Sequence, residues 1–120
     1  MNSEPLIVER YVGPVQDQQV LRLKGPLTTE NLSPFQNAIR GDSPRTMILD
    51  LTHVPYIDSA GLGSLVSAYV TYQKAGRRVA LAGANPRVRK LFKIARIEPF
   101  FLIFPTLETA IDALATAGEA

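Results

Sequence analysis

The chain has no cysteine and a single histidine, His53, in 120 residues. Without cysteine there is no disulfide frame and no thiolate metal site. No apolar run approaches the roughly 20 residues of a membrane-spanning helix. The start, Met1-Asn2-Ser3-Glu4-Pro5, lacks the basic-then-apolar pattern of a secretory signal. A cytoplasmic protein without a membrane span is the expectation. Repeats, low-complexity tracts and linkers are missing too, so residues 1–120 are expected to form one domain. Acid is absent from one long stretch. Between Ser59 and Ile97 there are eight bases and no Asp or Glu, although the net charge of the chain is only +2. One face should therefore be basic, which suits an acidic partner surface or a phosphate-bearing ligand. Few aromatics interleave with those bases, so stacking on single-stranded nucleic acid is not expected, and no direct nucleic-acid partner is assigned. Gly61 and Gly63 match neither a Walker loop nor a dinucleotide turn and have no lysine beside them, so no nucleotide cofactor is expected.

Apolar residues make up 46% of the chain, enough for a real core. Leu6–Val12, bounded by Pro5 and Gly13-Pro14, reads as an edge strand, and Val20–Lys24 as its hairpin partner across polar Gln16–Gln19. A helix is expected from about Glu30 to Ile39, with Pro34 in its first turn and Gly41 and Pro44 ending it. Thr46–Leu51 is continuously apolar until Asp50, which predicts a central strand covered on both faces. The helix from Ser59 to Ala75 places Leu62, Leu65, Val66 and Tyr69 on one stripe and stops at Gly76. Arg78–Ala82 is the next strand. Asn85-Pro86 opens a helix carrying Val88, Leu91, Phe92 and Ala95. Phe101–Phe104 is a last short strand, and Thr106 caps a final helix to about Ala117. The order β-β-α-β-α-β-α-β-α predicts an α/β domain: a mixed sheet with helices packed on it.

The stretch with the most chemical content is Asp58-Ser59-Ala60-Gly61-Leu62-Gly63, where a strand delivers a serine to a helix N-terminus. Asp58 is placed to cap that helix, and Gly61 and Gly63 are expected to leave its backbone accessible. A phosphate on Ser59 would meet free amides and the positive end of the helix dipole. Three other readings compete. Serine is common at helix starts and can simply cap. A serine nucleophile lacks the Gly-x-Ser-x-Gly frame, and its one candidate base, His53, lies six residues away in the same loop. A phospho-accepting Asp58 would need further carboxylates for Mg²⁺, and Asp50 is the only acid nearby. Tyr69 and Tyr72 fit the core better than a ligand platform.

Ile48 through Gly63, taken together, resembles the signature of STAS domains, and in particular of bacterial anti-sigma factor antagonists. The likeness extends to Gly25-Pro26-Leu27-Thr28, to Gly76 through Gly83, and from Val88 through the last helix. It implies a regulatory binding module, not an enzyme, with no cofactor. The serine matching Ser59 would be phosphorylated by a kinase that is itself the anti-sigma factor, and a serine phosphatase would reset it. The unphosphorylated protein would bind that kinase and release a sigma factor. Asp58, Ser59, Ala60, Gly61, Leu62 and Gly63, with Thr28, would form the partner surface. The resemblance also allows a non-sigma STAS subunit of a lipid-transport or stress-signalling complex. Thr28 departs from the pattern, because the family usually has an aspartate there.

Overall fold

In the computed structural model, which describes residues 4–41 and 44–118, five strands form one sheet in the order β1-β2-β3-β4-β5. The strands are β1 (Ile7–Val12), β2 (Gln18–Lys24), β3 (Thr46–His53), β4 (Arg78–Ala82) and β5 (Leu102–Phe104). The β1–β2 hairpin is antiparallel, and every later pairing is parallel. The helices are α1 (Ser33–Arg40), α2 (Ser59–Lys74), α3 (Pro86–Ile94) and α4 (Leu107–Gly118). The expected α/β class, element order and mixed sheet are all present.

β3 is central and its alternation decides both faces. Met47, Leu49 and Leu51 point into the larger core with Phe35 of α1, Leu65, Ala68 and Tyr72 of α2, and Val88 and Phe92 of α3. Ile48 points the other way, where Val20, Ala80 and Ala82 receive Ala110 and Leu114 of α4. With both faces covered, β3 is buried continuously from Thr46 to Leu51, and its apolar residues Met47–Leu49 and Leu51 are interrupted by the buried, ion-paired Asp50.

Several boundaries move from their expected places. α1 starts at Ser33 rather than Glu30, because residues 28–31 form a turn of their own. In it Thr28 N–H and Oγ1 donate to Asn31 Oδ1 at 2.7 and 3.1 Å, and Asn31 N–H donates to the Thr28 carbonyl at 3.0 Å. An Asn side chain offers the backbone that alternative to helix. A short 3-10 turn, Glu98–Phe100, precedes β5, which begins at Leu102 rather than Phe101. The buried stripe of α2 is Gly61, Leu65, Ala68 and Tyr72, while Leu62, Val66 and Tyr69 are only half-buried at its margin. Gly76 ends α2 as expected: it takes φ 72°, and Arg77 N–H donates back to the Tyr72 carbonyl at 2.8 Å.

Candidate functional site

The site forms where two chain segments far apart in sequence meet at the carboxyl end of β3. Leu27, just beyond β2, bridges Ile57 in parallel register. Leu27 N–H donates to the Tyr56 carbonyl at 3.1 Å, and Asp58 N–H donates to the Leu27 carbonyl at 3.2 Å. Asp58 then closes the arrangement. Its Oδ1 accepts from Gly61 N–H at 2.8 Å, capping α2. Its Oδ2 accepts from Thr29 N–H at 2.9 Å and from Thr29 Oγ1 at 3.2 Å. Burial opposes the charge on Asp58, but the hydrogen bonds from Thr29 and Gly61, helped by Ala60 N–H, outweigh it and hold the carboxyl below its ordinary range.

Ser59 is the first residue of α2 and is exposed. The helix start therefore carries a capping carboxylate turned inward and a hydroxyl turned to solvent. Asp58 supplies the cap, which leaves Ser59 without that task.

Gly61 corrects the expectation of an accessible backbone. It is buried, and a Cβ built on it would lie 2.1 Å from the Leu27 carbonyl oxygen. Its role is close approach between helix and loop. Gly63 is exposed, with nothing within 4 Å of a built Cβ. Ala60 and Leu62 are half-buried.

Thr28 is half-buried and turned toward Asn31 in its own turn; the residue that reaches Asp58 is its neighbour Thr29. Asn31 is buried and also donates through Nδ2 to the carbonyls of Pro26 and of Glu4, the latter at 3.2 Å. Thr29 carried no signal of its own in the sequence, because its partner Asp58 is set by the meeting of the two segments. The Asn31 contacts to Thr28 and Pro26 are local and make an Asx-type turn that the helix reading of residues 30–39 passed over. A Thr28→Asp change would place a carboxylate against Asn31 Oδ1. We expect it to lower stability by about 1 kcal/mol, the scale of one internal hydrogen bond. A denaturant midpoint unchanged from wild type would remove Asn31 from this account.

The competing chemistries fare differently. His53 closes β3 instead of lying in the loop, and no hydrogen bond among the described residues joins its side chain to Ser59. Asp50 is buried and has both oxygens engaged by other residues: its Oδ2 accepts from Arg22 Nε at 3.1 Å, and its Oδ1 from Thr52 N–H at 3.1 Å and Oγ1 at 2.5 Å.

α3 leans on the same loop. Asn85 caps it by accepting from Val88 N–H at 2.8 Å, and Asn85 Nδ2 donates to the carbonyls of Val54 and Pro55, each at 3.2 Å. The Arg87 guanidinium lies 5.2 Å from the centre of the Tyr56 ring. Among the described residues, no helix is long and apolar enough to cross a membrane.

The STAS domain family model matches residues 12–110, which include this site and all but the ends of the chain. The chain belongs to the STAS domain family. It is 27% identical over 99 residues to the anti-sigma F factor antagonist of Paenibacillus polymyxa, a match covering 79% of this chain and 82% of that protein. Its structure is similar to that of the anti-sigma factor antagonist SpoIIAA in its unphosphorylated form, with TM-score 0.69 and 24% identity, covering 91% of this chain and 95% of that one. The Bacillus cell fate determinant SpoIIAA in the phosphorylated form matches with TM-score 0.66 and 23% identity over 91% and 98% of the two chains. At these identities the SpoIIAA structures establish the fold. The STAS domain of a SulP transporter from Vibrio cholerae also matches, with TM-score 0.66 and 29% identity over 82% of this chain and 80% of that one.

Proposed function

We propose that residues 1–120 form one cytoplasmic STAS domain that works as an anti-sigma factor antagonist. In its unmodified state it binds a kinase-type anti-sigma factor and thereby releases a sigma factor. Phosphorylation of Ser59 by that kinase ends the interaction, and a serine phosphatase restores it. The domain is a binding module in this reading and catalyses no reaction itself. Asp58, Ser59, Ala60, Gly61, Leu62 and Gly63, with Thr28 beside them, form or support the partner surface.

The observation that carries the reading is the placement of Ser59. It is exposed on the first turn of α2, one residue after a cap that is complete without it. A kinase can reach such a hydroxyl, and phosphate adds about −1.5 to −2 charges at pH 7. The helix dipole favours that charge within the isolated domain. At a packed interface the same charge, next to ionised Asp58, brings repulsion and a desolvation cost. The likeness to a curated anti-sigma F factor antagonist supports the choice of pathway.

The experiment is phosphorylation with a purified anti-sigma factor kinase and ATP, followed by mass-spectrometric mapping and calorimetry. Ser59 should be the labelled residue. Ser59→Asp should bind the kinase about thirtyfold more weakly than Ser59→Ala, which corresponds to about 2 kcal/mol. Label that persists on another residue in Ser59→Ala would overturn the assignment. Equal affinities of the two variants would overturn the charge mechanism.

A further inference from the structure

A groove of about 400 Å³ runs beside Ser59, between the β3–α2 loop and α3. Its apolar parts are Tyr56, Ile57, Leu91 and Ile94, and its cationic parts are Arg87 and Lys90. Ile94 is 70% exposed and Tyr56 37%, although both are large apolar side chains next to a well-packed core. Exposed apolar surface rimmed by polar groups marks a contact site more often than chance placement does. The charges of the groove sum to positive, with Arg87 and Lys90 against the one carboxylate of Asp58. The N-termini of α2 and α3 both open near it, and each contributes a positive dipole end. Asp58 is the sole acid lining it, and both Asp58 oxygens accept hydrogen bonds from Thr29 and Gly61. α3 adds Arg89 and Lys93 outside the groove, and Glu98 is the acid that lies with Lys90 and Lys93 on its far side.

We propose that this groove receives an acidic protein segment bearing a bulky apolar anchor. The anchor would rest on Ile94, Leu91 and Tyr56, while carboxylates on either side of it would meet Arg87 and Lys90. The inference rests on the reading of Ser59 as the phosphorylation switch and deepens it by naming the chemistry of the partner. It also gives the switch a second physical route. Asp58 lines the groove and Ser59 follows it directly, so a phosphate on Ser59 would place its charge at the groove's edge. It would then offset the field that attracts the acidic segment. Arg87 is suited to this work because it is held over the Tyr56 ring, which limits the freedom lost when a carboxylate arrives.

The test is titration of the full chain, labelled with nitrogen-15, with a fluorescein-tagged peptide repeating Glu-Glu-Leu-Phe. The amides of residues 56–58 and 87–94 should shift together. Three controls accompany it: the same peptide with lysine for glutamate, polyglutamate without apolar residues, and phosphatidylglycerol vesicles. Each should bind more weakly than the acidic-apolar peptide. Combining Arg87→Glu with Lys90→Glu should lower peptide affinity at least about tenfold. Ile94→Ser, which alters an exposed position, should also lower it. Arg45→Glu, at the opposite end of the sheet, changes net charge by the same step as one groove substitution and should have little effect. Shifts elsewhere, equal binding of the lysine peptide or polyglutamate, or tighter binding to vesicles would each overturn the proposal. Absence of groove shifts together with Ser59-dependent kinase binding would refute the groove and leave the switch standing. Groove binding together with phosphate on another residue would do the reverse.

Discussion

Gly61→Ala should destabilise this protein by about 2–3 kcal/mol, while Gly63→Ala, two residues along the same helix, should stabilise it. Helix propensity alone favours alanine at both, by roughly 0.5–1 kcal/mol. The surroundings reverse the sign at one of them. A Cβ on Gly61 would meet the Leu27 carbonyl oxygen at 2.1 Å, the Leu27 carbonyl carbon at 2.9 Å and Ile57 Cγ2 at 2.8 Å. The Leu27 backbone cannot simply retreat. Its side chain is fully buried, its N–H is bonded to Tyr56, and its carbonyl accepts from Asp58. Relief therefore requires α2 to lift from the loop, which disturbs the Asp58 cap and the packing of Leu65 below it. Overpacking of this kind costs about 1–3 kcal/mol, and breaking the bridge places the change at the upper end. Gly63 has nothing within 4 Å and gains only the reduced freedom of the unfolded chain. Urea denaturation of the two variants checks the pair. Equal shifts of the midpoint in the same direction would mean that Leu27 and α2 do not approach this closely.

Asp58→Ala should cost about 2 kcal/mol at neutral pH, and Asp58→Asn less. Alanine removes the N-cap, which is worth about 1 kcal/mol, and also the hydrogen bonds from Thr29, 29 residues away and exposed to water, which add about 1 kcal/mol. Asparagine keeps one oxygen for Gly61 but turns an NH₂ toward Thr29, or the reverse, so one contact is lost. The penalty should depend on pH with a defined sign. The pKa of Asp58 is lowered in the folded state, so the carboxylate's contribution is complete above the unfolded value of about 3.9. It declines as pH falls through the lowered folded value. The gap in unfolding free energy between wild type and Asp58→Ala should therefore be constant from pH 7 to about pH 5 and narrow in more acidic solution. A gap that stays constant down to the acid limit would show that the hydrogen bonds do not depend on the ionised form.

Much of this architecture follows from signals that act within a few residues. The caps at Asp58 and Asn85, the stop at Gly76 and the apolar run of β3 each depend on neighbours no more than four or five positions away, so the sequence by itself determined the element order and the mixed sheet. It also placed Ser59 at a helix start and gathered the bases of the second half of the chain. The inner face of α2 was decided otherwise. Apolar periodicity gives weight to large side chains and so points to Leu62, Val66 and Tyr69, whereas the helix seats itself on Gly61 and Ala68 together with Leu65 and Tyr72. Close approach of a helix to a loop and a sheet demands small residues, and how close that approach is depends on the packed fold. The same holds for the pairing of Thr29 with Asp58, for the Arg22–Asp50 ion pair, and for the groove that joins Tyr56 to Ile94. Each joins residues at least 28 positions apart. No local pattern encodes them, because their partners become neighbours only after the parallel strands fall into register.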